Sequence, residues 1–254
     1  MVNYWTALSL AKQIAGELAL PQPQTLTGST TPQATQLFAM MNSAGNELLL
    51  YYTWQEFLKE WEFTTEVGKG EYPLPSDWSY FIDQTQWDRT NHWPLLGPKS
   101  PQEWSWLKGG LLAAAPRMRY RVMNNNFMLW PVPGVLTDGN GNPMDFTMAM
   151  EYISDNWVVP ANAPDTFTNY ITSDGDIVRY NPWLMVKFIK YKFYELKGME
   201  TTGVLSDFMR VFNSLTGKDK GAPKLSLSPR FPPLFIGPWS IPDGSWDTSA
   251  NTQP

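Results

Sequence analysis

The chain has 254 residues, a net charge of −5, no cysteine and a single histidine, His92. A chain of this length buries roughly 70–75% of its unfolded surface without staples, and the missing thiols exclude disulfide frameworks, Cys-ligated metal centres and thiol nucleophiles. Only 17% of residues are charged while 15% are aromatic and 22 are proline, a composition nearer to subunit interfaces than to a free-standing surface, so it reads as a component of an assembly.

Residues 1–100 hold 5 Lys/Arg against 10 Asp/Glu, whereas residues 101–254 hold 14 of each, so the excess acid is confined to the first hundred residues. An acidic chain without a basic stripe is a poor neutraliser of DNA phosphates. The N-terminus lacks a basic region followed by an apolar stretch, and no run reaches 18 apolar residues, so neither a signal peptide nor a membrane span is expected.

In chain order, Leu8, Ala11, Ile14, Ala15 and Leu18 recur at helical spacing over residues 6–20, and Pro21 and Pro23 end the segment. Thr31-Pro32 then reads as a cap with proline at the first helical position. Leu37, Met40, Met41, Ala44, Leu48 and Tyr51 carry that helix to about Leu58, roughly 40 Å of strut. From Glu60 to Tyr180 the period shifts towards 2, with Gly and Pro punctuation. The clearest hairpin pairs 117–123 with 127–133 across Asn124-Asn125-Asn126, with Met118, Tyr120 and Val122 on one face and Arg117, Arg119 and Arg121 on the other. Asp138-Gly139-Asn140-Gly141 is a second turn signal, leading into a strand from about Asp145 to Val159. Ser100 caps a short helix over Pro101–Leu107.

Helix returns at Asn181-Pro182 and stops at Gly198, and another follows Thr202 with Val204, Phe208, Val211 and Leu215 before Gly217. Residues 218–254 contain seven prolines and no period. Lys224, Arg230, Phe231, Phe235, Trp239 and Trp246 mark them as an arm that docks on something. The whole reads as an α+β fold. N-terminal helices (1–59) and C-terminal helices (181–217) form a bundle, a β-rich domain (60–180) is inserted between them, and an extended arm (218–254) follows.

Candidate chemistry is sparse. The Arg117/Arg119/Arg121 row, with side chains about 6.6 Å apart, suits a solvated sheet face, inter-subunit ion pairs or phosphate contacts. Asp174-Gly175-Asp176, with Asp165 nearby, lacks the full calcium loop and its bidentate glutamate, and reads better as a turn. Glu151 with Asp155, or Glu56 with Glu60, shows no sign of the pKa tuning that glycoside hydrolysis needs. His92, in Asn91-His92-Trp93-Pro94, has no partner motif and reads as a loop residue. The thirteen Trp are dispersed, which favours core plugs and interface anchors over a carbohydrate platform.

A series of landmarks runs from Trp54-Gln55-Glu56-Phe57-Leu58 and Phe63 to Gly70-Glu71-Tyr72-Pro73-Leu74-Pro75-Ser76-Asp77. It continues through Trp93-Pro94-Leu95-Leu96-Gly97-Pro98, Trp104 and Tyr152-Ile153-Ser154-Asp155-Asn156-Trp157 to Asp174-Gly175-Asp176, Trp183 and Lys197-Gly198. In order and spacing it resembles the head-to-tail adaptors of short-tailed bacteriophages, the tail tubular protein A class, over about residues 30–200. The resemblance implies a virion protein forming a homo-oligomeric ring of about twelve copies beneath the portal. Such a ring extends the DNA channel with transient, weak contact to passing DNA, presents a face to the tail nozzle, and uses its C-terminal tail against the portal. It implies no cofactor and no membrane.

Some members of that class are credited with cell-wall hydrolysis, but no catalytic motif here matches residue by residue. A peptidoglycan hydrolase and a Trp-rich glycan-binding tail component are the alternative readings. A channel that holds and releases DNA favours an acidic lumen, so Glu56, Glu60, Glu62 and Glu66, at the end of the long helix, are expected on a channel or inter-subunit surface.

Overall fold

The structure is a computed structural model, and it describes residues 4–109, 117–134 and 145–219. The described residues form two compact units, one helical (4–58 with 153–219) and one β-rich (59–109, 117–134 and 145–152).

The helical unit starts with a two-residue strand, β1 (Trp5–Thr6), and helix α1 (Ala7–Glu17). The Thr6 side chain caps α1 by accepting from the Ser9 amide. Two more of its orphan amides, on Ala7 and Leu8, donate to the carbonyls of Asp176 (2.7 Å) and Asp174 (3.1 Å). Helix α2 (Pro32–Tyr51) has the expected Pro at its first position, but Thr31 supplies no side-chain cap.

Helix α2 also ends seven residues earlier than the apolar spacing suggests. Tyr52 is extended (φ −159°, ψ 147°), and Trp54 folds back so that its Nε1 donates to the Leu48 carbonyl at 2.9 Å. That bond satisfies one of the carbonyls a helix end leaves open. Trp54 and Phe57 keep helical spacing, yet they face the Tyr180 ring from a short 3₁₀ turn (Gln55–Phe57). The four acids therefore do not extend a helical strut.

Strands β10 (Val158–Val159) and β11 (Ile177–Val178) join β1 in a small antiparallel sheet, order β1-β11-β10. Residues 153–180, assigned by period to the β-rich insertion, thus belong to the helical unit. Helix α4 (Pro182–Leu196) is capped by Asn181 and followed by Gly198 at φ 65°, the left-handed position that a helix stop favours. It lies against α1, α2 and α5 (Thr202–Asp219). Helix α5 runs through Gly217 instead of stopping there, and Asp219 at its end accepts from the Gln55 amide at 3.0 Å. The core of this unit includes Leu10, Ile14, Met41, Leu48, Trp157, Leu184, Met185, Phe188 and Ile189, all fully buried.

The β-rich unit contains β2 (Leu58–Thr64), β3 (Glu71–Pro73), β4 (Trp78–Phe81), β5 (Trp87–Asp88), β6 (Trp93–Pro94), α3 (Pro101–Lys108), β7 (Arg119–Met123), β8 (Asn126–Trp130) and β9 (Thr147–Ser154). One sheet runs β2-β9-β5-β6 with β4 also on β9, and a second runs β3-β8-β7. The hairpin β7–β8 has a two-residue loop, Asn124-Asn125, with φ 51° and 56°. Positive φ at both residues marks the turn whose twist matches paired strands. Its register, Tyr120 to Leu129 and Val122 to Phe127, turns one face into a core with Tyr72, Leu95, Phe146, Met148 and Met150. Helix α3 begins with a complete capping box between Ser100 and Glu103. The expected strand over 145–159 is interrupted after Ser154, so β9 and β10 are separate. The turn signal at Asp138–Gly141 lies outside the described residues, as does the expected arm (218–254) except for Lys218 and Asp219, which belong to α5.

Candidate assembly interface

Each of the four candidate acids meets a cation. Glu60 and Glu62 stand on the same face of β2, and Arg89 bridges them, its Nη1 2.7 Å from Glu62 and its Nη2 on Glu60. Glu66 accepts from Lys69 Nζ at 2.6 Å, within a loop held by the Tyr72 hydroxyl, which accepts from the Glu66 amide and donates to the Lys69 carbonyl. Glu56, on the 3₁₀ turn, pairs with Arg179 at 3.3 Å. Glu56 thus belongs to the helical unit and Glu60, Glu62 and Glu66 to the β-rich unit, all of them ion-paired.

Arg179 organises the helical side of this arrangement. Its side chain is 12% exposed and donates to the carbonyls of Asn156 (3.2 Å) and Glu56. Its guanidinium lies over the rings of Phe57 (5.0 Å) and Phe167 (4.6 Å). Burial and the Glu56 carboxylate beside it push the Tyr4 phenol up to about 12. Sequence reading missed Arg179, because a lone arginine before a helix carries no motif.

The arginine row is not an open face. Arg117 is only 6% exposed, and Arg119 and Arg121 are half-buried. Residues 95–99 run along β7: Tyr120 N donates to the Leu96 carbonyl at 3.1 Å, and Leu96 N to the Met118 carbonyl at 3.0 Å. The arm residues Lys224, Arg230, Phe231, Phe235, Trp239 and Trp246 lie outside the described residues.

Asp174 and Asp176 are engaged in loop architecture. Asp174 Oδ1 accepts from the Leu26 amide (2.9 Å) and from both the amide and hydroxyl of Thr27. Asp176 accepts from the amides of Ala161, Thr172 and Ser173 and the Thr172 hydroxyl. Burial alone raises the Asp176 carboxyl, but these four bonds outweigh it and hold it below its ordinary range. Among the described residues, no group of three or more His, Asp or Glu is placed to hold a metal. Asp155 accepts from Asn169 at 3.3 Å.

His92 and Glu151 line a polar cavity of about 380 Å³ with Glu60, Gln84, Asp88 and Arg89. Asp88, inside it, accepts from the Thr90 and Asn91 amides and the Asn91 side chain. Its burial nevertheless raises its pKa above the ordinary value.

Several large apolar side chains on the helical unit are exposed. Leu50 is 80% and Leu196 65% exposed, and Tyr51, Met199, Leu205 and Met209 are exposed as well. They sit at the ends of α2 and α4, in the turn that follows α4, and on α5, whose only buried residue is Phe208. The Phe212 ring meets Tyr51, Tyr52 and Trp54 edge-on, so the end of α2 and α5 share one aromatic layer. Composition foresaw such surfaces in bulk but not where they fall. Among the described residues no helix is long and apolar enough to cross a membrane.

No curated protein matches this chain. The family model for the SU10 adaptor protein matches residues 5–174, two thirds of the chain, from β1 to the loop before β11. The match agrees with the phage head-to-tail adaptor class that the landmark series resembles, and the chain belongs to the SU10 adaptor protein family, structural adaptors of the bacteriophage virion neck.

Proposed function

We propose that the protein assembles as a ring of about twelve copies beneath the portal, extends the DNA channel and provides the attachment site for the tail nozzle. It is assembled in the cytoplasm of the infected cell and acts by ring formation, with no catalytic step. The observation that carries this reading, beside family membership, is the apolar surface of the helical unit. Large side chains on α2, α4 and α5 stand in water in a chain with few charges to cover them, the condition of a surface awaiting a partner. Residues 220–254, rich in proline and aromatics, act as the arm that engages the portal. Of the three arginines expected to make inter-subunit ion pairs, Arg119 and Arg121 serve them, whereas Arg117, 6% exposed, is too buried to reach a neighbour. Glu56, Glu60, Glu62 and Glu66, each already paired, lie on channel or inter-subunit surfaces, and where they face the channel DNA passes them without binding tightly.

Purified protein mixed with portal rings and examined by native mass spectrometry and electron microscopy tests this. The expected result is a second ring of about twelve copies on the portal; folded protein that forms no portal complex overturns the reading. Zymography on peptidoglycan tests the hydrolase alternative, and cleared bands lost in Glu151→Ala or Asp155→Ala variants would establish it.

A further inference from the structure

The polar cavity of about 380 Å³ lies wholly within the β-rich unit. Trp87 on β5 and Ala149 on β9 are register partners in its lining. Glu151, two residues on, shares their face of the sheet, opposite the core residues Met148 and Met150. Gln84 and His92, in the turns on either side of β5, also line it, both with left-handed backbone (φ 65° and 58°). Such backbone is costly for a residue with a Cβ and collects at ligand sites.

The charges in the lining are largely spent on one another. Arg89 is held by Glu60 and Glu62, so its charge is already compensated. Asp88 accepts three hydrogen bonds from Thr90 and Asn91. The Thr85 hydroxyl donates to the Ile82 carbonyl and accepts from the Glu151 amide. Among the described residues, the side chains of Gln84, His92 and Glu151 make no hydrogen bond, and these three are what the cavity offers a ligand. A glutamine amide and a neutral imidazole each carry a donor and an acceptor, and a carboxylate carries acceptors. Beside them stands the half-buried Trp87 ring, fixed by its Nε1 donating to the Gln84 carbonyl at 3.3 Å.

This set selects among ligand classes. An anionic ligand finds no uncompensated cation and meets the Glu151 carboxylate. A cationic one uses Glu151 and leaves the donors of Gln84 and His92 idle. A hydroxyl both donates and accepts, so adjacent hydroxyls satisfy all three groups, while the C–H face of a sugar ring packs on an indole. The volume lies within the roughly 300–1,000 Å³ of small-ligand sites. We propose that this cavity binds a neutral saccharide unit.

Calorimetric titration of the full chain with maltotriose, cellotriose and tri-N-acetylchitotriose tests it, with glucose 6-phosphate and lysine as the anionic and cationic probes. Saturable binding of at least one trisaccharide is expected, weakened at least about tenfold by Trp87→Ala and by Gln84→Ala and unchanged by Trp106→Ala, an exposed tryptophan outside the cavity. Gln84→Ala removes an exposed side chain that bonds to nothing, so loss of folding cannot mimic its effect. Binding of none of the three trisaccharides, binding that survives both cavity substitutions, or tighter binding of either charged probe overturns the proposal. The titration needs neither ring nor portal, so its outcome is separate from that of the portal experiment.

Discussion

Gly45 of α2 and Trp157 meet so closely that a Cβ on Gly45 would lie 2.3 Å from the indole Cζ2. The indole cannot retreat, since Trp157 is fully buried and its Nε1 donates to Asn46 at 3.0 Å. The neighbouring Tyr180 hydroxyl donates to the Gly45 carbonyl itself. A glycine that weakens a helix by about 1 kcal/mol is retained here for space.

Gly45→Ala should therefore destabilise the helical unit by about 1–3 kcal/mol, despite alanine's better helix propensity. Urea denaturation followed by tryptophan fluorescence measures this. A variant as stable as the parent would show that the indole can shift.

Arg179→Ala should cost about 2–3 kcal/mol. It removes charged hydrogen bonds to two backbone carbonyls from a side chain that is mostly shielded from water. Arg89→Ala is the control. Its pairs with Glu60 and Glu62 are half-exposed, and its loss should cost no more than about 1 kcal/mol. Equal effects in thermal melts would contradict the difference in burial.

Acid should loosen the helical unit through two carboxyls. Burial opposes ionisation of both Asp176 and Glu17. Hydrogen bonds to Asp176, and Lys187 and Lys190 beside Glu17, more than compensate and lower both pKa values. A carboxyl lowered on folding contributes stability that is full above its unfolded pKa and is lost as pH falls through the folded value, which for both lies below the ordinary carboxyl range. Asp176→Asn should flatten the acid limb of the stability curve. Asp88 works the other way: its burial raises its pKa, so its contribution is full below the unfolded pKa and lost as pH rises through the folded value. Hydrogen exchange resolved by segment should show the helical unit losing protection in acid before the β-rich unit, and the reverse order would refute this assignment.

Asn124→Val should destabilise the β7–β8 hairpin by about 1–2 kcal/mol, because a β-branched residue is strained at φ 51°. Asn125→Gly should be neutral or stabilising by a few tenths of a kcal/mol, since glycine adopts φ 56° without strain. Chemical denaturation of both variants checks the pair.

A chain ending at Asp219 keeps the whole of α5 and the Asp219–Gln55 bond, so it should fold as the parent does. On the proposed role of the arm it should no longer bind portal rings in a pull-down. Undiminished binding would assign portal contact to another surface.

Local chemistry alone determined several elements. Ser100 with Glu103, Asn181-Pro182, Gly198 and the paired asparagines act within a turn or two of themselves, so their signals were legible without a fold. The end of α2 was not legible, because Trp54 and Phe57 satisfy helical spacing, and only the Tyr180 ring and the Leu48 carbonyl turn them away. Gly217 looked like a helix stop, yet packing on α4 and the bond to Gln55 carry α5 past it. The alternation expected to put Arg117, Arg119 and Arg121 on one face stops short of Arg117, which lies on a buried bend before β7, and residues 95–99, distant in sequence, run beside that strand. Asp174 and Asp176 show the same limit most clearly: their spacing announced a turn, while their partners lie at Leu26, Thr27 and Ala161 and at the start of α1. Short-range propensity is written in neighbouring residues, whereas burial and pairing depend on which distant segments the folded chain brings within a few ångströms.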